Sequence, residues 1–437
     1  MLRFCPLTFV LSLTLVYAQQ PTQPTAVTLQ QAIARARENE PSFAAAVANQ
    51  RVAALDHSIT RAALLPNVSY HNQVLYTQPN GSHNGGGPVG SQAAPRFIAN
   101  NAVREYASQG VVNETLGLAQ VTAVSRAAAA DAVATAELEI ARRGLVSAVT
   151  SLFYQTLSAD RKVDVARRAA GEASSFTNLT QQREGAREAA HADVVKAQLQ
   201  QQQRDRDLTE ALLDAQKAHL DLAVVLFPDP RTAYTLASDP VGNLPARTDV
   251  DEHAMKLNPE LHQAMATLRV SNLDVTAARA AYLPDLNLNF TYGIDAEQFA
   301  VNGGGGVKNL GYAASATLDI PVWDWLSTQH KVRQSEITRD VARTALSATQ
   351  RRLVAELDES YSEAATARDQ LQSLEQSVQT AGDSLRLTHL RYTAGEATVL
   401  EVVDAQNSLA AAEVAREDGD VRYRLALTNL QLLTGAM

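Results

Sequence analysis

A chain of 437 residues is long enough for two or three ordinary domains, yet only 5% of its residues are aromatic. Alanine, glutamine, leucine and arginine abound instead, the make-up of long helices rather than of a compact mixed core. The formal net charge of -9, with no block of Lys and Arg anywhere, excludes a nucleic-acid partner, because phosphate binding needs a basic face.

The first residues read as a secretory signal over residues 1–18. Arg3 gives the positive start, Leu7 to Val16 is apolar, and Val16-Tyr17-Ala18 resembles a cleavage site before Gln19. Cys5, the single cysteine, falls inside this segment, so the mature chain is expected to have no disulfide, no thiolate metal ligand and no cysteine nucleophile. Beyond Ala18 there is no run of about 18 apolar residues that could span a bilayer as a helix. An exported chain of this kind is either soluble outside the inner membrane or crosses a membrane as a β-barrel.

The remainder repeats itself, with a first unit over 19–230 and a second over 231–437. Pro41 to Pro66 recurs as Pro259 to Pro284 at a constant offset of 218, with twelve of 26 positions identical, among them Arg51/Arg269, Asp56/Asp274, Arg61/Arg279 and Pro66/Pro284. Arg183 to Gln198 recurs as Arg391 to Gln406 at an offset of 208, with eight of 16 identical, including Glu188/Glu396, Val194/Val402 and Gln198/Gln406. Alanine-rich helices align by chance, but Arg, Asp, Pro and Gln in fixed register do not. The change of offset places a ten-residue shortening in the glycine-rich stretches, Asn80 to Pro95 in the first unit and Asn302 to Gly311 in the second, where loops tolerate length change.

In chain order each unit predicts a helix ending at a proline, two strands around a Gly-rich loop, and two long helices. The first unit predicts strands at about 67–77 and 102–113 and helices at about 116–182 and 187–227. The second predicts strands at about 285–294 and 311–320 and helices at about 324–390 and 397–433. Leu286, Leu288, Phe290 and Tyr292 alternate with Asp285, Asn287, Asn289 and Thr291, and Tyr312, Ala314, Ala316, Leu318 and Ile320 alternate with Ala313, Ser315, Thr317 and Asp319. The first unit alternates less cleanly, with Val68, Tyr70, Val74 and Tyr76 against Ser69, His71 and Gln73. Such alternation fits a membrane strand or a half-buried soluble one equally well. From Val322 to Ala381 there is neither glycine nor proline, enough for a helix of roughly 90 Å. Leu353, Leu357, Tyr361, Ala364, Ala367, Leu371, Leu374, Val378, Ala381 and Leu385 recur along it at steps of three and four, a coiled-coil-like seam. The first unit has no proline from Arg96 to Phe227, although Gly144 and Gly171 fall within that run.

Catalytic and metal motifs are missing. His57, His191 and His253 are scattered, no HExxH or GxSxG occurs, and Gly303 to Lys308 lacks phosphate-loop spacing, with Asn309 where Ser or Thr is needed. No catalytic residue, metal ligand or cofactor is therefore expected.

The duplicated order, with Leu65-Pro66 and Leu283-Pro284 before the strands, Asp319-Ile320-Pro321-Val322-Trp323-Asp324 after the fourth, and Arg391-Tyr392-Thr393-Ala394-Gly395-Glu396 followed by Val402-Val403-Asp404-Ala405-Gln406, resembles the TolC-like outer-membrane efflux family. The resemblance implies a mainly α fold with a small transmembrane β part. In it a homotrimer forms a twelve-stranded β-barrel continued by a periplasmic α-helical barrel. It implies an outer-membrane location reaching into the periplasm, and a passive duct of a tripartite efflux or type I secretion system. The implied partners are outer-membrane lipid, a periplasmic adaptor (membrane fusion protein) and an inner-membrane pump. Arg183, Gly185, Glu188, Arg391, Gly395 and Glu396 would lie at the adaptor-facing helical tips, with Gly185 and Gly395 taking left-handed turns. Glu401 and Asp404 would ring the periplasmic aperture, and Tyr392 with Asp193 would restrain the gate. The family's second restraint falls on Ala397 and Ala192, which cannot make it. The competing reading is a soluble periplasmic coiled-coil scaffold, which needs no apolar strand face.

Overall fold

The structure, a computed structural model, describes residues 25–76, 104–238, 240–296, 298–303, 306 and 308–435. The signal segment and the glycine-rich stretch Asn80 to Pro95 lie outside the described residues. In chain order the elements are β1 (Thr25–Val27), α1 (Leu29–Asn39), α2 (Pro41–Ala62), β2 (Asn67–Tyr76), β3 (Arg104–Leu116), α3 (Leu118–Gly185), α4 (His191–Leu226), β4 (Tyr234–Leu236), α5 (Arg247–Leu257), α6 (Pro259–Ala280), β5 (Asp285–Ala296), β6 (Leu310–Asp319), α7 (Ser327–Thr393) and α8 (Val399–Thr434). The sequence repeat is also a structural one. Helices α1 and α2 recur as α5 and α6 with both ends of each shifted by 218 residues. Helices α4 and α8 are each 36 residues long, shifted by 208.

The chain divides into two compact units, one built from Leu145–Leu244 and Glu363–Asn429 with the described residues up to Glu40, the other from Pro41–Gly144, Pro245–Ser362 and the C-terminal residues from Leu430. Helix α3 has 68 residues and α7 has 67, about 100 Å each. Gly144 and Gly171 do not interrupt α3. Both are exposed on the helix surface, and a Cβ at either would meet nothing within 4 Å. A surface glycine costs a helix about 1 kcal/mol, too little to break one packed along its length. On α7 the seam from Leu353 to Leu385 is buried or half-buried at every predicted position, while the residues between are mostly exposed.

Helices α2 and α6 stop at Ala62 and Ala280, before their prolines. Tight closing bonds follow, Leu65 N–H to Ala62 C=O (3.0 Å) and Leu283 N–H to Ala280 C=O (2.8 Å), because the residue preceding proline is driven out of helical geometry. The chain then turns into strand.

The second unit contains an antiparallel sheet in the order β2-β3-β5-β6, one hairpin from each repeat. Its register sets cross-strand rows. Val68, Val112, Phe290 and Ala314 form one row, and Tyr70, Gly110, Tyr292 and Tyr312 the next. All even-numbered positions therefore share a face, which carries Leu286, Leu288, Ile294 and Leu318 as well. The odd-numbered face carries side chains that bond one another across strands: Thr115 donates to Asn287 (2.8 Å), Asn287 to Asp319 (2.7 Å) and Gln109 to Asp295 (3.2 Å), and Asn289 donates to Asn113. On the apolar face Ser108 bonds both Asn72 (2.8 Å) and Tyr70 (2.7 Å), whereas both Glu114 carboxylate oxygens are buried and make no hydrogen bond among the described residues. Strand β3 runs on past the predicted end at 113 to Leu116, because each added residue gains a partner on β5, ending with Leu116 opposite Leu286.

In the first unit, β1 and β4 form a short parallel pair that the sequence reading did not foresee. The core holds Val149, Phe153, Phe176, Leu222 and Leu226. Glu417, almost fully buried, is paired with Arg161 (3.2 Å), which also reaches Asp420 (2.8 Å). A buried carboxylate without such partners would be strongly destabilising.

Candidate functional site

The first unit brings the two long-helix turns side by side, Gly185 to His191 and Thr393 to Val399. Both close with the same pair of bonds. Arg187 N–H donates to Glu184 C=O (2.8 Å) and Glu188 N–H to Arg183 C=O (2.7 Å). At the matching positions Gly395 N–H donates to Tyr392 C=O (3.1 Å) and Glu396 N–H to Arg391 C=O (2.8 Å). This is the Schellman closure, which needs a left-handed residue just past the helix. Gly395 supplies it with φ of +80°, but in the first turn the left-handed residue is Arg187, with φ of +64°. Gly185 is the last residue of α3 and stays helical. The expectation for Gly185 is thus corrected, and the 208-residue offset already pairs Gly395 with Arg187.

Arg183 ties the turns together. Its guanidinium donates to the Tyr392 carbonyl oxygen, lies 4.9 Å from the centre of the Tyr392 ring, and sits 3.5 Å from the Glu188 carboxylate. Tyr392 is only 5% exposed and packs edge-on against Phe176 at 5.1 Å. Around them Ala197, Leu385, Val399, Val402, Val403 and Ala405 form one apolar cluster, with Ala397 packed against it. The His389 ring also meets Phe176 edge to face at 5.6 Å, and burial pushes its imidazole below the usual range.

The predicted gate pair is not joined within the chain. The Tyr392 hydroxyl donates to Thr180 (3.4 Å), while the Asp193 carboxylate accepts the Ala190 N–H (3.4 Å) at the start of α4, where a negative charge suits the helix dipole.

Glu401 and Asp404, one turn apart on α8, have different surroundings. Glu401 closes a capping box: its carboxylate accepts the Thr398 N–H (3.1 Å) and the Thr398 hydroxyl accepts the Glu401 N–H (3.3 Å). Arg391 pairs with the same carboxylate (3.1 Å) and also donates to the Glu396 carbonyl oxygen (3.0 Å). The Thr398 backbone and hydroxyl, with Arg391 adding its charge, hold Glu401 below the ordinary carboxylate range. Asp404 is exposed, and among the described residues its carboxylate has no partner. The Thr-x-x-Glu spacing was visible in the sequence, whereas the Arg391–Glu401 pair and the role of Thr180 depend on tertiary placement. Around the turns the apolar side chains of Val195, Leu199, Leu387, Leu390 and Leu400 are exposed.

Residues 252–436 match the model of a family described as outer membrane efflux protein. Outer membrane protein OprJ of Pseudomonas aeruginosa is 27% identical over 172 residues, which cover 39% of this chain and 36% of OprJ, so the chain spans little more than a third of that relative's length in the match. Outer membrane protein TolC of Vibrio cholerae is 24% identical over 404 residues, 91% of this chain and 88% of TolC. The crystal structure of the Campylobacter jejuni CmeC outer membrane channel superposes with a TM-score of 0.78 at 14% identity, covering 98% of this chain and 94% of that one, and so shares the fold. The matched region, the relatives and the superposition point the same way: residues 252–436 match the outer membrane efflux protein family, and the chain shares the fold of an outer-membrane channel.

Proposed function

We propose that three copies of the chain pool their four-stranded sheets into a twelve-stranded barrel in the outer membrane, continued by an α-helical barrel through the periplasm. The assembly is a passive duct of a tripartite efflux or type I secretion system and catalyses nothing. The observation that carries this reading is the sheet itself. Among the described residues β2 and β6 each pair on one side only, and the even-numbered face exposes Val68, Tyr70, Leu288, Phe290, Tyr292 and Leu318. In lipid an open edge leaves backbone groups unpaired at several kcal/mol each, so a sheet of four strands must find more strands. Apolar side chains outward and a bonded polar face inward are the arrangement of a membrane barrel.

A periplasmic adaptor, coupled to an inner-membrane pump, docks on the turns carrying Arg183, Glu188, Arg391 and Glu396. The exposed leucines beside them supply apolar contact, and the energy for transport comes from the pump. Glu401 and Asp404 gather around the axis, where Asp404 contributes the unbalanced charge. Planar-bilayer recording of the purified protein tests the duct. Discrete, cation-favouring conductance steps are expected, and a protein that inserts without conducting would contradict the reading.

A further inference from the structure

In the first unit α3 bonds to both α4 and α8. Thr156 donates to the Ala218 carbonyl oxygen of α4 (3.1 Å), while Lys162 pairs with Asp418 (2.5 Å) and Arg168 with Glu413 (3.0 Å) of α8. Nearer the turns α4 and α8 join each other, Asn407 accepting from Gln200 (2.7 Å) and from Arg204 (2.5 Å). Beside this junction a groove of about 790 Å³ lies between the three helices, a volume typical of small-molecule sites.

The groove has a small, apolar floor that includes Ala159, Ala166, Ala211, Ala411, Val414 and Val421. Ser158 also lines it. That residue is 6% exposed, and its hydroxyl has no hydrogen-bond partner among the described residues. A buried hydroxyl left unpaired is costly until a bound molecule supplies the partner. The rim is charged. Arg204 pairs with Asp207 (3.1 Å), Lys162 with Asp418, and Lys217, outside the groove, with Asp214 (3.2 Å). Glu210 is exposed and has no partner among the described residues, although its repeat counterpart, 208 residues on, is the paired Asp418. The lining therefore keeps one carboxylate that no cation offsets.

On α8 the groove residues Asn407, Ala411, Val414, Asp418 and Val421 form one stripe at steps of four and three. Tyr423, two residues past Val421 and so about 200° round the helix, faces the other way. It donates to the Gly242 carbonyl oxygen (3.1 Å) in the link from β4 to α5. The same link meets α3 at Ser238, which accepts from Arg161 (3.0 Å). A link running across the bore would obstruct the duct, so it lies outside and the groove faces the bore.

We propose that this groove is a binding site, one per chain, for amphiphilic organic cations in transit. The apolar body lies on the alanine floor, a polar atom meets the Ser158 hydroxyl, and Glu210 faces the positive charge. The site rests on the duct reading and deepens it, giving the bore a preference for one class of cargo at a place apart from the turns.

Equilibrium dialysis of the full chain in mild detergent, against protein-free detergent, tests the site with ethidium, an apolar cation carrying amino groups. Saturable binding of one ethidium per chain is expected, with the anion 8-anilinonaphthalene-1-sulfonate held about tenfold more weakly. Glu210→Gln is expected to weaken ethidium about fivefold and Ser158→Ala about threefold. Ala411→Phe, which fills the groove, is expected to abolish saturable binding, and Asp404→Ala to leave it unchanged. Binding lost in Asp404→Ala and kept in Ala411→Phe would put the dye at the turns and overturn the site. Equal retention of the anion, or no saturable ethidium, would also overturn it. Thermal melting checks that each variant is folded, and unchanged affinity in Glu210→Gln overturns the assignment whatever Ala411→Phe does. In planar bilayers ethidium is expected to interrupt the current, and uninterrupted current with ethidium bound would place the groove outside the bore. A protein that binds ethidium and never conducts would contradict the duct and leave the groove standing.

Discussion

Gly293 sits where the hairpins of the two repeats meet, opposite Gln109 on β3. A Cβ there would come within 2.2 Å of the Ser108 carbonyl oxygen and 2.6 Å of the Gln109 Cα, both backbone atoms that cannot swing aside. Gly293→Ala is therefore expected to cost about 1–3 kcal/mol and to lower the thermal midpoint in detergent, and an unchanged midpoint would show that β3 and β5 do not approach so closely. At the helical turns the two acidic residues separate in the same way. Asp404→Ala is expected to reduce cation selectivity in bilayers more than Glu401→Ala does, because Arg391 already balances Glu401. Equal effects would mean that the Arg391–Glu401 pair opens in the assembled channel.

The helix α3 is tied to the C-terminal end of α8 by Arg143, which donates to the Leu432 (2.6 Å) and Leu257 (2.9 Å) carbonyl oxygens while bonding Glu139 (2.9 Å). Arg142, with Arg143 beside it, pulls the Glu139 carboxyl down to about 2. A carboxylate lowered on folding contributes stability that is whole above its unfolded value near 4.5 and is lost as pH falls toward 2. Glu139→Gln is expected to cost about 1 kcal/mol at neutral pH and to flatten the acid side of the stability profile, as followed by thermal melting between those limits. An unaltered acid limb would mean that Glu139 is not what ties α3 down.

Elements with one wet and one dry side were legible in the sequence. Strands β5 and β6 show in their alternation and α7 in its seam, because side-chain period follows directly from which side is buried. Strand β3 was expected only as far as residue 113, since Glu114 and Thr115 look like loop until the partner strand is known. Helix α3, expected at about 116–182, spans Leu118–Gly185, while β1 and β4 are three residues each, too short to carry a period. At the turns the sequence marked the right segments, yet gave the left-handed position to Gly185 instead of Arg187. The partners of Tyr392 and Glu401 lie on other turns or helices, and spacing along one helix holds no information about them.

For the molecule as a whole, one physical requirement organises the rest. Four strands with an apolar face and two free edges cannot stand alone in lipid, and the other strands among the described residues, β1 and β4, pair only with each other. The measurement that tests this most directly is the mass of the mature chain extracted from outer membranes in mild detergent, by light scattering corrected for bound detergent. A trimer of the chain is the predicted result. A monomer, or a protein recovered without detergent in the soluble periplasmic fraction, would contradict the account.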